Sequence, residues 1–527
     1  MITKRNLIRV RHASRGGLAG LLAAAAALGV AELAAGITGP LSSPVLAVGA
    51  VAIDLTPVPV KDFAIAHFGS SDKAALETGI LVLLAVYAML IGVLALRRLA
   101  LGLAGLAVFG ALGVSAALTR PASGLADALP SLAGTAVAAG ALVVLIRTVR
   151  RRGDMPESGA GEAGRPGRRG FLVAAGVTAL TAVVTGGGGD LLLRRFSAAS
   201  ARSLIRLPGA AVQAAPVPAG VDLKVGGLTS FFTPNSDFYR VDTDLLVPQV
   251  SPDQWTLRIS GMVDREIELT FDELLRLPLI EHDMTLVCVS NEVGGPYTGN
   301  ARWLGASLPA LLRRAGVRRG ADQVLSTSTD GMTISTPVDT IMDGRQALVA
   351  VGMNGQPLPL QHGFPARMLV PGLYGYVSAT KWLTSLEVTT FARNRAYWTQ
   401  RGYAQQAPIK TESRIDVPRP LARVKAGRVA VAGVAWAPHR GISGVEVKVD
   451  GDPWRTATLA PAAGTDTWRQ WKWAWDASPG LHTLQARAAD GTGAMQTSQR
   501  AGVFPSGATG WDSVVVTVTL PSPAFTG

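Results

Sequence analysis

Residues Met284–Gly295 read MTLVCVSNEVGG and carry Cys288, the single cysteine of this 527-residue chain. An apolar run ends here and a polar, glycine-containing loop begins. Free cysteine is among the most buried residue types, so an inert core position is the first reading. Three chemical readings compete with it. A catalytic thiol needs a base and an orienting group, and neither His282 nor His362 stands beside it in a familiar pattern. A zinc site takes three or four ligands, and no Cys-x-x-Cys or His-x-x-x-His spacing supplies them. A soft metal held chiefly by a cofactor needs only one protein thiolate, because the cofactor furnishes the rest. A lone cysteine fits that last reading best.

Outward from this stretch the chain divides into two unlike parts. Up to about residue 190 it is Ala, Leu, Gly and Val with clustered arginines; beyond about residue 220 it is mixed, with Trp, Asp, Thr and Pro. One cysteine precludes an intramolecular disulfide and leaves the compartment open. The net charge of +13 sits largely in clusters beside apolar segments: Lys4 to Arg15, Arg97 and Arg98, Arg147 to Arg152, and Arg165 to Arg169. Nucleic-acid binding would need such charge on one exposed face with groove-reading elements, so no nucleic-acid partner is expected. Basic clusters at the ends of apolar segments instead mark a lipid bilayer as partner.

A bilayer core needs roughly 20 apolar residues per helix. Gly17–Ile37, Ala75–Leu96, Leu99–Leu118 and the shorter Leu129–Ile146 qualify, giving about four spans over residues 1–149. Residues 150–190 hold a flexible basic linker, Arg150–Gly170, and the marginal span Phe171–Thr185. Leu41–Gly69 is interrupted by Asp54, Pro57, Pro59, Lys61 and Asp62, and reads as an external loop, in part re-entrant. With five spans, the arginine clusters at 97–98, 147–152 and 165–169 all fall inside and the remainder of the chain falls outside. RRGFLVAAGV, Arg168–Val177, resembles the core of a twin-arginine export signal. A positive flank on an ordinary span reads equally well, and both place the C-terminal part on the extracytoplasmic side of the cell membrane. Haem between helices usually takes paired histidines; only His67 lies near the spans, in the loop, and His12 is in the N-terminal tail, so no haem is expected.

Residues 221–410 read as an α+β domain. WTLRI alternates, Thr270 caps a short helix at FDELLRL, Ser307 caps another at LPALLRRA with Gly316 near its end, and Arg367–Val370 and TKWLTSLEVTTF are strands. Residues 415–527 read as short alternating strands with regularly spaced turns, a β-sandwich of immunoglobulin type with no cysteine pair to staple it.

TPNSDFY, TLVCVSN, NARWLGASLPALL, MNGQPLPLQHGFPARMLVPGLYG and TKWL occur in this order. Together they resemble the molybdenum-cofactor domain of the sulfite oxidase family, and the strands that follow resemble that family's dimerisation domain. The resemblance covers about residues 225 to 520 and leaves out the membrane part; the family's cytochrome segment is missing. It implies a multi-domain chain: an α-helical membrane region, an α+β molybdopterin domain and a C-terminal immunoglobulin-like sandwich that makes a homodimer through 415–527. It implies that Cys288 is the catalytic cysteine and ligates molybdenum, with a pterin dithiolene and oxo groups completing the shell. Asn235, Phe238 and Tyr239 match the segment that contacts the pterin. Asp330, His362, Arg367, Ala379, Thr380 and Lys381 match further cofactor-binding positions, with one extra residue between Gly372 and Lys381. The charges suit this, since Arg367 and Lys381 can neutralise a pterin phosphate through charge-assisted hydrogen bonds.

The departures concern the substrate side. Sulfite-oxidising members carry an arginine where Val241 stands, a pair of arginines near Glu292 and Val293, and a tyrosine at Val351. Losing those cationic and hydroxyl groups removes the attraction for a small dianion, although Arg240 is adjacent. The resemblance therefore implies an oxidoreductase moving an oxygen atom between water and a small-molecule substrate other than sulfite, with an unknown redox partner. An S-oxide or N-oxide reductase and a membrane-anchored binding module are the alternative readings.

Overall fold

The computed structural model describes residues 4–39, 42–57, 60, 72–119, 123–150, 166–194, 197–242 and 247–520. His67 and most of the Arg150–Gly170 linker lie outside them. The chain forms two compact units, Met1–Ser197 with Asp242–Gln249, and Ala198–Val241 with Val250–Gly527.

The first unit is helical: α1 (Lys4–Thr38), α2 (Pro44–Leu55), α3 (Asp72–Arg97), α4 (Leu99–Leu118), α5 (Leu129–Arg150) and α6 (Pro166–Arg194). All but α2 are long and apolar enough to cross a membrane, as expected from the apolar runs. With 12 residues, α2 is too short to span, in keeping with the interrupted 41–69 segment. Small residues let α1 approach α3 closely: a Cβ on Gly20 would collide with the Ala88 carbonyl, and one on Gly92 with the Gly16 carbonyl. Gly92→Leu is therefore expected to cost about 1–3 kcal/mol by overpacking. A lower thermal midpoint of the detergent-solubilised protein is the expected result; an unchanged midpoint would mean that the helices do not meet there.

The second unit is built on four sheets. One has the order β2-β1-β10-β5-β6, with β1 (Thr256–Gly261), β2 (Ile267–Thr270), β5 (Gln323–Ser328), β6 (Thr333–Pro337) and β10 (Leu383–Thr389). Thr270 caps the helix that follows β2: its hydroxyl accepts from the Glu273 N–H while the Glu273 carboxylate accepts from the Thr270 N–H, as the sequence predicts. The second sheet runs β3-β4-β7-β8 with β9 on β7: β3 (Leu279–Val287), β4 (Thr298–Ser307), β7 (Leu348–Met353), β8 (Gln356–Pro357) and β9 (Arg367–Leu369). Cys288 follows the last residue of β3, where the antiparallel β3–β4 pairing ends at Val287 and Thr298.

The C-terminal strands form two sheets around a shared core that includes Val431, Trp471, Val447, Leu484 and Val516. Their orders are β11-β13-β17-β16 and β12-β19-β18-β14-β15. The strands used below are β11 (Glu412–Val417) and β13 (Gly427–Trp436). This β-rich region is not packed apart from the α+β part. Val434, Trp436 and Trp468 belong to the core that also holds Leu257, Val349 and Leu386. The Trp468 indole donates to the Phe231 carbonyl at 2.8 Å, and its backbone N–H donates to the Thr285 hydroxyl at 2.7 Å.

Candidate functional site

β3 delivers Cys288 to the start of a tight loop. The Cys288 N–H donates to the Tyr297 carbonyl at 3.0 Å, and the Asn291 N–H donates back to the Cys288 carbonyl at 3.0 Å. The sulfur accepts from the Ser290 N–H at 3.4 Å and is buried, with 9% of the residue exposed. Burial pushes the thiol up from its ordinary value, against the pull of the Ser290 hydrogen bonds and the Lys381 charge.

The segment before the first sheet reaches the same place. The Asn235 side chain accepts from the Asn354 amide at 2.9 Å and donates to the Met353 carbonyl at 3.3 Å. Its backbone carbonyl accepts from the His362 ring at 3.2 Å. Phe238 stands edge-on to Trp303 and His362, with centroids 5.8 and 5.5 Å away, and stacks on Tyr239 at 5.2 Å. Gly299 leaves room for the Phe238 ring, which lies 2.7 Å from where its Cβ would be. The Tyr239 phenol is pushed far up by burial and the nearby Cys288, with Arg367 opposing.

His362 ends a short 3-10 turn, Leu360–His362, and is buried. Burial, then the neighbouring Arg367 charge, lower it to about 4, so it is a neutral imidazole at neutral pH. Arg367, on β9, is 5% exposed. One terminal nitrogen donates to the His362 carbonyl at 3.1 Å, and the guanidinium lies 5.2 Å from the Trp303 ring centroid. Its Nε has no hydrogen-bond partner, and among the described residues no carboxylate forms an ion pair with it. Burial lowers Arg367 to about 10. Lys381 lies 4.4 Å from the Trp382 ring centroid and donates to the Gln361 carbonyl at 3.5 Å. Gly363, at φ +104, keeps the turn close: its Cβ would stand 3.0 Å from Lys381 Cα and 3.1 Å from Arg367 Cβ.

The structure thus gathers Asn235, Phe238, Tyr239, Cys288, His362, Arg367 and Lys381. Ala379 packs against the apolar cluster that includes Phe238 and Trp303. Asp330 sits in the β5–β6 turn, where its carboxylate accepts from the Met332 N–H at 3.1 Å; the preceding Thr329 donates to the Trp382 carbonyl. Thr380 is turned away. Its hydroxyl shares a hydrogen bond with Ser326 inside the sheet, and its carbonyl accepts from the Met368 N–H. Val351 is fully buried in β7, so no polar group replaces the missing tyrosine there. Sequence reasoning did not single out Asn354 or Trp303. Asn354, at φ +50 in the β7–β8 turn, holds both Asn235 and Arg302, and the Asn-Gly pair at 354–355 was its available signal.

These residues fit an anionic, metal-bearing cofactor. A buried guanidinium with an unused donor and no carboxylate partner calls for an anion from outside the chain. Among the described residues no three His, Cys, Asp or Glu side chains group as a metal site, so a metal at Cys288 would take most of its ligands from the cofactor.

The family model described as oxidoreductase molybdopterin binding domain matches residues 244–398. Mitochondrial sulfite oxidase of Rattus norvegicus is 31% identical over 291 residues, covering 47% of this chain and 52% of that protein. The uncharacterized oxidoreductase YuiH of Bacillus subtilis is 31% identical over 150 residues, covering 28% of this chain and 72% of that protein. The chain spans about half the length of the sulfite oxidases it matches. The sulfane dehydrogenase SoxCD from Paracoccus pantotrophus aligns with a TM-score of 0.48 at 23% identity, over 57% of this chain and 89% of that one, a likeness too low to add to the assignment.

Proposed function

Since the chain belongs to the sulfite oxidase family of molybdopterin-dependent oxidoreductases and its cofactor is the molybdenum cofactor, we propose that Cys288 is the molybdenum ligand of a membrane-anchored enzyme acting on a substrate other than sulfite. The single observation that carries the cofactor site is the buried Arg367, unpaired and beside His362.

When bound, the cofactor supplies two-electron oxygen-atom transfer between water and a substrate. The chain's own residues do the rest. Arg367 and Lys381 hold the anionic pterin phosphate, and Arg367 can give it the donor that nothing else uses. Neutral His362 and Asp330 bond the pterin edges, while Asn235 and Phe238 set their orientation. Cys288, reluctant to ionise while buried, gives up its proton to the charge of a bound metal. Trp303 and Phe238 exclude water beneath the site.

On the substrate side Val241, Val293 and Val351 offer no charge and Glu292 adds a negative one, so a neutral or cationic substrate is favoured over a small dianion. The five apolar helices support anchoring, and the arginine clusters support an extracytoplasmic catalytic unit. The two C-terminal sheets are read as an immunoglobulin-like sandwich and as the dimer surface. A monomer by detergent-corrected light scattering would remove that last reading.

The deciding experiment is metal and pterin analysis with electron paramagnetic resonance, on protein purified from a host that makes the cofactor. Stoichiometric molybdenum with a redox-active signal is expected; protein lacking both molybdenum and pterin would reject the reading. Dye-linked turnover then decides direction. Reaction only with a reduced donor dye would make the enzyme an oxide reductase.

A further inference from the structure

Glu412 is the first residue of β11, opposite Trp436 of β13. It is 3% exposed, and its Oε1 has no hydrogen-bond partner. A buried carboxyl oxygen without a partner is costly in a folded core and calls for a function or a ligand.

Its surroundings connect it to the Cys288 loop. Two residues along β11, Arg414 donates to the Gly295 carbonyl at 3.0 Å, and a Cβ on Gly294 would collide with the Asp512 carboxylate. Asp512 in turn accepts from the Ile415 N–H at 2.7 Å. On the other side lies Tyr374, 1% exposed. The segment it begins runs beside β3: a Cβ on Gly375 would stand 3.9 Å from the Val287 carbonyl oxygen, one residue before Cys288. Glu412 and Cys288 both raise the Tyr374 phenol, so the phenol feels both groups. Lys410 donates to the Gly507 carbonyl, and a Cβ on Gly507 would collide with the Tyr374 hydroxyl.

We propose that Glu412 holds and transfers a proton for the Cys288 site, acting through the Tyr374 phenol as a positioning residue contributed by the C-terminal strands. This rests on the reading of Cys288 as the molybdenum ligand. The charged groups that bear on Glu412 are Lys410, which favours its ionised form, and Asp512 and Glu292, which oppose it. Burial is the largest influence, and together they raise Glu412 to about 8, near the pH at which a proton carrier works in both directions.

The step balances as follows. An oxide, two electrons and two protons give the reduced substrate and water, with the electrons supplied by a reduced donor dye. Solvent furnishes one proton. For the other, the Glu412 O–H bond breaks as its proton passes to the phenol oxygen, and the phenol O–H bond breaks as its own proton moves toward the departing oxygen. Oxidation by an acceptor dye runs the same path in reverse, with the Glu412 carboxylate as base.

The test compares the full-length wild type with Glu412→Gln and Glu412→Asp. Infrared difference spectra of the wild type are expected to show a protonated-carboxyl C=O band that disappears as pH rises through about 8, and Glu412→Gln is expected to lack it. In holoprotein partly reduced with dithionite, the pH-dependent change in the molybdenum(V) resonance is expected to vanish in Glu412→Gln and to persist in Glu412→Asp. A band that survives in Glu412→Gln overturns the proposal. So does a lost band with a resonance whose pH dependence matches the wild type. Protein without molybdenum would instead overturn the cofactor reading, while the infrared band still reports on Glu412 by itself.

Discussion

Cys288→Ser protein is expected to purify folded but to lose dye-linked turnover by about 1,000-fold or more, equivalent to about 4 kcal/mol of barrier. The expectation comes from what the sulfur does and does not touch. Its one protein hydrogen bond is from the Ser290 N–H, and a serine oxygen can accept the same bond. Backbone bonds from Cys288 to Tyr297 and from Asn291 to Cys288 do not involve the side chain. Folding should therefore change by no more than about 1 kcal/mol. A soft metal prefers a thiolate, and a serine hydroxyl ionises far less readily, so the loss falls on the metal centre. Circular dichroism and thermal melts check the fold, and metal analysis with turnover checks the site. Full molybdenum content with wild-type turnover would take Cys288 out of the chemistry and return it to the core.

Arg367→Met is expected to act with opposite signs on the two forms of the protein. In the cofactor-free form the wild type buries a cation with an unused Nε and no carboxylate partner. An uncompensated buried charge is destabilising, and a methionine of similar length can fill the space beside Trp303, so the cofactor-free variant should melt at or above the wild type. With cofactor bound, the variant lacks a charge-assisted bond worth about 2 kcal/mol. Retention of pterin through dialysis should fall about 30-fold, at 1.4 kcal/mol for each tenfold. Pterin fluorescence after oxidation measures retention. Melts of protein from a cofactor-deficient host measure the other arm. A variant that melts lower without cofactor would make Arg367 a structural residue, held by Trp303 and the His362 carbonyl.

How much of this was readable in the chain differs residue by residue. The caps at Thr270 and Ser307 were readable because they depend on the next three residues. The apolar helices were readable from length and composition. The site residues were found through ordered motifs, and the structure brings most of them together. The orientation of Thr380 was hidden, because it is set by Ser326, 54 residues away. The unpaired state of Arg367 was hidden as well, since a sequence does not show which carboxylates stay distant. The merging of the β-rich strands with the α+β part depends on Trp468, whose indole reaches Phe231 across 237 residues. Periodicity within each strand carries no trace of such a contact.

That contact also orders events in time. Phe231, Thr285 and Trp468 lock the start of the site, the strand bearing Cys288 and the C-terminal strands to one another. Gly295 joins them through Arg414. During synthesis the residues around Cys288 emerge long before Trp468, and they lack this support until it arrives. A cofactor captured by the finished pocket therefore enters after translation has passed Trp468, as a late guest in a chain already largely made.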